Sequence, residues 1–365
     1  MIETVSAALI VKNEEGFLPE CLDSLSGHVD EVVVVDTGST DRTRQIAVDA
    51  GAKVLDFDWR QDFAAARNFG LDAVSGTWVL YIDADERLVL PTGQRLASQL
   101  ENPKAVAARI NFKPIVRGTP CREYRVFRNR PDIRFVGAIH ETILPSLESI
   151  FSEADAPIID IDAELVHLGY EGDLTHKFRR NLPMLQRMVE EWPDRLYYWL
   201  DLAKALRGLN ENQKASAVCI EGLRRAQHQT APASRSMAAQ IALNYAQLQM
   251  EQGEDARATI RQGLAFNPSN PLLQFQLAAM DIKDGRHVEA IEILNRLIEV
   301  GANGYSDSLV SVDERLFGAF ALEAKSLALL RLNRRVEAAE CMRLASALEP
   351  EEMSYRVKAI ALGAQ

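Results

Sequence analysis

The chain has 365 residues, of which 47% are hydrophobic and 25% charged, and a net charge of −11 at neutral pH. That length and apolar content suit two soluble globular domains, and the acidic balance argues against a general nucleic-acid binder. No run approaches the roughly 18 apolar residues of a membrane helix, and the start, Met1-Ile2-Glu3-Thr4, has neither a basic segment nor an apolar signal core, so a cytoplasmic protein without a transmembrane segment is expected.

Residues 4–12 predict a strand with an apolar run from Ala7 to Val11. Asn13-Glu14-Glu15-Gly16 follows, then a helix whose apolar face carries Phe17, Leu18, Cys21, Leu22 and Leu25. A second strand over 31–35 ends at Asp36-Thr37-Gly38-Ser39-Thr40-Asp41. There Gly38 permits a tight turn, and Ser39, Thr40 or Asp41 can cap a helix over 42–50. Residues 53–57 predict a third strand, 58–62 a loop and 63–74 a helix. The fourth strand, residues 78–82, is an apolar run that stops at three acids, Asp83, Asp85 and Glu86. Strands alternating with helices at this spacing imply right-handed crossovers and a mainly parallel sheet, which places Asn13, Asp36 and Asp83 on one rim.

That rim is where α/β proteins hold ligands. Two carboxylates one residue apart can turn their oxygens toward one hard divalent cation, which in turn would hold phosphates. No Gly-x-Gly-x-x-Gly follows the first strand and no Gly-x-x-x-x-Gly-Lys-Ser/Thr occurs, which disfavours a dinucleotide fold and a P-loop enzyme. Residues 105–112 and 123–128 are again strand-like, as an antiparallel extension. Residues 158–168 alternate like a strand and end in His167-Leu168-Gly169-Tyr170. The four cysteines, Cys21, Cys121, Cys219 and Cys341, have neither metal-ligand spacing nor the density of a disulfide scaffold, and are expected to be buried, reduced thiols.

Ile10-Val11-Lys12-Asn13-Glu14-Glu15, Val35-Asp36-Thr37-Gly38-Ser39-Thr40-Asp41-Arg42-Thr43, Ala66-Arg67-Asn68 and Asp83-Ala84-Asp85-Glu86 stand in the order and spacing of family 2 glycosyltransferases. Over about its first 170 residues the chain resembles a GT-A-fold enzyme of the subgroup that carries tetratricopeptide repeats. The resemblance implies inverting transfer of a sugar from a nucleoside diphosphate donor, commonly a uridine one. It places Val11, Asn13 and Glu14 beside the nucleoside, with the base contact on Asp36 or on the Thr37 hydroxyl. Arg67 is implied by the base and phosphates, where a fixed guanidinium fork suits a diphosphate. Asp83 is implied at the ribose, and Asp85 as a ligand of Mn²⁺ or Mg²⁺, with Asp83 alongside. His167 stands where many such enzymes complete the metal shell, and imidazole suits Mn²⁺ better than Mg²⁺. Within Phe135-Val136-Gly137-Ala138-Ile139-His140-Glu141-Thr142, Glu141 stands where the acceptor's general base is expected, with His140 as the alternative.

After Gly172 the period becomes helical and stays so. Trp199-Leu202-Ala203-Leu206 matches a first repeat helix, and Ala256-Ile260-Gly263-Pro268 a second helix and its terminator. Ala290-Leu294-Leu297 recurs 34 residues after Ala256, the period of a tetratricopeptide unit, and Ala338-Met342-Ala345-Pro350 gives a further copy beyond an insertion at 301–312. The expected organisation is therefore an α/β GT-A domain over 1–172 and an all-α repeat domain of four helical hairpins over 173–365. Stacked repeats leave a concave surface for a peptide or partner, or else support or dimerise the catalytic domain. The donor is expected to be a nucleoside diphosphate sugar and the acceptor a saccharide, a lipid-linked glycan or a polypeptide. A sugar nucleotidyltransferase would need a glycine-rich, basic loop where Asn13-Glu14-Glu15 is acidic. The other alternative is a repeat adaptor with a decayed catalytic domain.

Overall fold

The computed structural model describes residues 3–114, 121–153, 156–169, 174–305 and 312–363. It divides into two compact units, residues 1–116 with 120–173, and residues 117–119 with 174–365. Tyr170, Gly172 and residues 306–311 of the insertion lie outside the described residues, as does the side chain of Cys121.

In the first unit, β1 (Val5–Val11), β2 (Glu31–Asp36), β3 (Lys53–Asp56) and β4 (Trp78–Tyr81) alternate with α1 (Leu18–Leu25), α2 (Thr43–Asp49) and α3 (Phe63–Leu71). β5 (Glu86–Val89), β6 (Ala107–Pro114) and β7 (Cys121–Arg128) follow, then α4 (Leu144–Glu153) and β8 (Ile158–His167). The sheet order is β3-β2-β1-β4-β7-β6-β8-β5. The first four strands are mutually parallel, so the chain ends of β1, β2 and β4 open on one edge.

Beyond β4 the sheet is mixed. β7 is antiparallel to β4 and β6, the antiparallel extension expected from the sequence, but β6 pairs parallel with β8, and β5 joins antiparallel as an edge strand. Alternate residues of each strand serve opposite faces. Val5, Ala7, Leu9 and Val11 pack with Leu18, Leu22 and Leu25 of α1, whereas Ala8 and Val33 pack with Ala64 and Leu71 of α3 and Leu147 of α4. Gly70 lets α3 lie close on the sheet, because a Cβ there would stand 3.0 Å from Val35 Cγ2.

The second unit is helical: α5 (Thr175–Glu191), α6 (Leu196–Gly208), α7 (Asn212–Ala226), α8 (Pro232–Glu251), α9 (Arg257–Phe266), α10 (Pro271–Lys283), α11 (His287–Ala302), α12 (Ala319–Arg331), α13 (Arg335–Leu348) and α14 (Met353–Leu362). Four hairpins, α6/α7, α8/α9, α10/α11 and α12/α13, form the repeats, with α5 and α14 at their ends. The repeat positions read from the sequence are core: Trp199, Leu202, Ala203, Leu206, Ile260, Ala290, Leu294, Leu297, Ala338, Met342 and Ala345 are all buried. No helix among the described residues is long and apolar enough to cross a membrane. Cys21, Cys219 and Cys341 are free and buried.

Close helix approach in the repeats depends on Gly263. A Cβ there would stand 2.9 Å from the Ala242 methyl of α8 and 2.6 Å from Leu273 Cδ1 of α10. The leucine tip can turn away, but the alanine methyl moves only with its helix. Gly263→Ala is therefore expected to lose about 1–3 kcal/mol to overpacking, partly offset by up to about 1 kcal/mol of helix propensity. Urea unfolding of the variant measures the net effect, and a net gain in stability would contradict this packing.

Candidate active site

At the rim formed by the ends of β1, β2 and β4, the loops after β1 and β2 hold one another. After β1, Asn13 adopts a left-handed φ of 57°, which asparagine tolerates better than most residues. Its Oδ1 accepts from the Thr40 N–H at 2.7 Å, and its own N–H donates to Ser39 Oγ at 3.0 Å. The Glu14 N–H donates to Thr43 Oγ1 at 2.7 Å. After β2, Asp36 is buried and uses Oδ1 to accept from the N–H groups of Gly38, at 2.9 Å, and Ser39, at 2.7 Å. The Thr37 hydroxyl donates to the Val11 carbonyl at 3.0 Å. Val11, Asn13, Glu14, Asp36 and Thr37 thus lie together at one end of the rim.

The centre of the rim is Arg67. Helix α3 is capped by Asp62, whose side chain accepts from Ala65 N–H, and small Ala64 and Ala66 bring the helix down onto the sheet. Arg67 is therefore buried, and its guanidinium reaches two carboxylates: Nη2 donates to Asp83 Oδ1 at 2.7 Å and Nε to Glu141 Oε1 at 2.5 Å. It also lies over the rings of Tyr81, at 5.1 Å, and Phe135, at 5.5 Å. Burial would lower the Arg67 pKa, but the Asp83 and Glu141 charges outweigh it and raise it. Burial likewise pushes the Asp83 carboxyl up, yet Arg67 and Arg125 hold it below the ordinary value. Thus the cation is permanent and Asp83 is ionised at neutral pH.

Glu141 is presented by a closed loop. Val136 and Thr142 exchange N–H to carbonyl hydrogen bonds at 3.0 and 3.1 Å, and the loop between them turns through Gly137, at φ 96°, and His140, at φ 51°. Asn68, next to Arg67, anchors it: its Nδ2 donates to the Phe135 carbonyl and its Oδ1 accepts from the Phe135 N–H, both at 2.9 Å. The Phe63 N–H adds a bond to the Ala138 carbonyl at 2.8 Å. One helix thus positions both the arginine and the loop whose acid it binds.

On the other side of Asp83, the antiparallel β5/β8 register sets Glu86 opposite His167. This brings His167 Nε2 to 3.1 Å from Asp85 Oδ2. The Asp85 bond raises the His167 pKa against the effect of burial. Beneath the turn, Cys21 Sγ lies 3.5 Å from the Asp83 carbonyl oxygen, and burial pushes that thiol up to about 12.

Residues 6–140 match the model of glycosyl transferase family 2. The amino-terminal unit is a family 2 glycosyltransferase domain. A TPR repeat-containing protein of Synechococcus elongatus is 41% identical over 194 residues, covering 52% of this chain and 47% of that protein. The lipopolysaccharide core biosynthesis glycosyltransferase LpsC of Rhizobium meliloti is 32% identical over 157 residues, covering 39% and 57%. The chain spans about half the length of the first curated relatives it matches. Among solved structures, glucosyl-3-phosphoglycerate synthase of Mycobacterium tuberculosis in complex with Mn²⁺ and UDP-glucose is 20% identical with a TM-score of 0.36, covering 51% of this chain and 78% of that one.

Within the glycosyltransferase domain, Asp85 and His167 are adjacent donors of types that divalent ions accept. Among the described residues no group of three or more His, Cys, Asp or Glu is arranged to hold a metal ion. A two-ligand protein site would fit a cation whose remaining positions are filled by phosphates and water, and the imidazole among the donors suits Mn²⁺ better than Mg²⁺. Asp83 already gives one oxygen to Arg67. Three features of the glycosyltransferase domain were not read from its sequence: the double pairing of Arg67, the Asn68 anchor, and a buried Glu86–Arg125 ion pair. Charged residues ordinarily read as surface, so the last had no signal beyond the acid following Asp85.

Arg67→Met would leave two carboxylates facing each other across a hydrophobic gap. Removing one partner from a buried ionic cluster costs about 3–5 kcal/mol, and the partial exposure of Asp83 puts the expected loss near 3 kcal/mol by urea denaturation. A loss below about 1 kcal/mol, typical of a surface pair, would show that the clamp does not hold the site together.

Proposed function

We propose that the protein is a cation-dependent, inverting glycosyltransferase that moves a sugar from a uridine diphosphate donor to an alcohol of a saccharide, lipid-linked glycan or polypeptide acceptor. The observation that carries the reading is the pairing of both Asp83 and Glu141 with Arg67, beside an Asp85–His167 contact at the same turn, on the strand-end edge of a family 2 domain. In this reading Asp36 receives the base. The Thr37 hydroxyl proton is committed to the Val11 carbonyl, whereas the Asp36 hydrogen bonds run through Oδ1, and a carboxylate oxygen is the natural acceptor for an imide N–H such as that of uracil.

Glu141 is the acceptor-side base. As the acceptor oxygen bonds to the anomeric carbon, the bond from that carbon to the phosphate oxygen breaks, its electron pair leaves with the diphosphate, and the hydroxyl proton passes to the carboxylate. A cation held by Asp85 and His167 would neutralise the departing diphosphate. Arg67, which donates from Nε to Glu141 and from Nη2 to Asp83, acts on the reaction through these two acids by fixing their separation and orientation.

Release of uridine diphosphate from a panel of UDP-sugars, with Mn²⁺ or with chelator, tests the reading as a whole. Asp85→Ala is expected to abolish turnover and most of the cation-dependent affinity for uridine diphosphate by calorimetry, while leaving the melting temperature near that of the wild type. Unchanged affinity in Mn²⁺ would remove Asp85 from the cation site. Glu141→Gln keeps the size of the side chain and can still accept a hydrogen bond from Arg67, but it cannot take the proton. Transfer is expected to fall roughly 10²- to 10⁴-fold with donor affinity nearly intact, and retained transfer would assign the base elsewhere.

A further inference from the structure

Behind the Asp83–Asp85 turn lies a second ionic unit, built on Glu86 and Arg125. Glu86 is 1% exposed. Arg125, also buried, on β7, donates to it through both terminal nitrogens, Nη2 to Oε1 at 2.9 Å and Nη1 to Oε2 at 3.3 Å. Arg125 is held in turn by Glu123, with Nε to Oε2 at 2.7 Å, and lies over the rings of Tyr81, at 4.7 Å, and Phe112, at 5.4 Å. A buried pair of this kind is a poor source of stability, since desolvating two charges offsets most of their attraction. Its geometry does something else.

Glu86 Oε2 accepts the Asp83 N–H at 2.9 Å, and the Glu86 N–H returns a bond to the Asp83 carbonyl at 3.0 Å. The turn bearing both Asp83 and Asp85 is thereby closed on itself. The unit also reaches the histidine. Glu86 is the register partner of His167, the Leu168 N–H donates to the Asp85 carbonyl at 2.9 Å, and the Phe112 ring under Arg125 lies 5.6 Å from the imidazole. Fixing Glu86 on Arg125 therefore fixes Asp83, Asp85 and His167 relative to one another.

We infer that Glu86 and Arg125 are positioning residues that hold the Asp83–Asp85 turn and His167 in the arrangement a divalent cation and a nucleoside diphosphate require. This rests on the proposed cation-dependent transfer. An octahedral cation tolerates little displacement of its ligands, so loosening the turn is felt in cation-linked binding before it is felt in the fold.

The test compares wild type with Glu86→Gln, and with the paired variant Glu86→Gln/Arg125→Gln, which removes both charges together and so leaves neither buried alone. Manganese affinity is read by electron paramagnetic resonance of free Mn²⁺, and uridine diphosphate affinity by calorimetry with Mn²⁺ and with chelator. Both variants are expected to bind Mn²⁺ and Mn²⁺-dependent uridine diphosphate at least tenfold more weakly, with affinity in chelator unchanged. A residue that only supports the fold would lower the melting temperature without creating that difference. If Glu86→Gln fails to fold because Arg125 is stranded, the paired variant carries the comparison. A folded paired variant whose Mn²⁺-dependent affinity lies within twofold of wild type overturns the inference alone. Wild-type protein that shows no cation-linked nucleotide binding overturns the proposed function and this inference with it.

Discussion

The site depends on one guanidinium. Arg67 sits between Asp83, at the end of a sheet strand, and Glu141, on a loop that α3 anchors through Asn68 and Phe63. Without a cation there, two acids of like charge would be drawn into one apolar corner beside Tyr81 and Phe135, and one would have to take up a proton or swing out. Arginine suits this place because its planar fork donates in two directions at once and lies flat against aromatic rings, which a lysine ammonium cannot do. The small residues of α3, and Gly70 against Val35, place that fork at the required depth.

A second constraint is that each acid has its own environment. Asp83 is kept ionised by two arginines, whereas burial pushes the Glu86 carboxyl up to about 7 against the pull of Arg125. Asp85 faces an imidazole rather than a guanidinium. Three carboxylates within four residues are thus separated by their partners, so the run of acids is not a single negative patch. The arrangement leaves Asp85 as the acid bonded to a group that can itself be a ligand.

Much of this was legible in the chain. The alternation of apolar runs with helical faces gave the parallel half of the sheet, and the recurrence of Ala256 at Ala290 gave the repeat period, because both reflect periodic burial. The parallel pairing of β6 with β8 and the short edge strand β5 were not legible. β5 carries Glu86 and Arg87 in a four-residue strand, a composition that reads as turn, and its partner lies far along the sequence. The same blindness hid the Glu86–Arg125 pair: a charged side chain gives no sequence signal of burial until its counter-charge is known. Arg67 was legible through the Ala66-Arg67-Asn68 resemblance, which implies a place by the base and phosphates, but its double engagement requires the position of the 136–142 loop.

The contact between Asp85 and His167 spans 82 residues, and β5 is joined to the sheet through β8 alone. Parallel strands β1 to β4 and their helices can assemble from the first part of the chain, but the edge that carries the acids stays unpaired until β8 arrives. Long-range pairing of this kind is slow, because loop closure precedes its reward. A polypeptide emerging from the ribosome therefore forms the Asn13 and Asp36 side of the rim well before its acidic edge, and the Asp85–His167 contact is among the last parts of the domain to be completed.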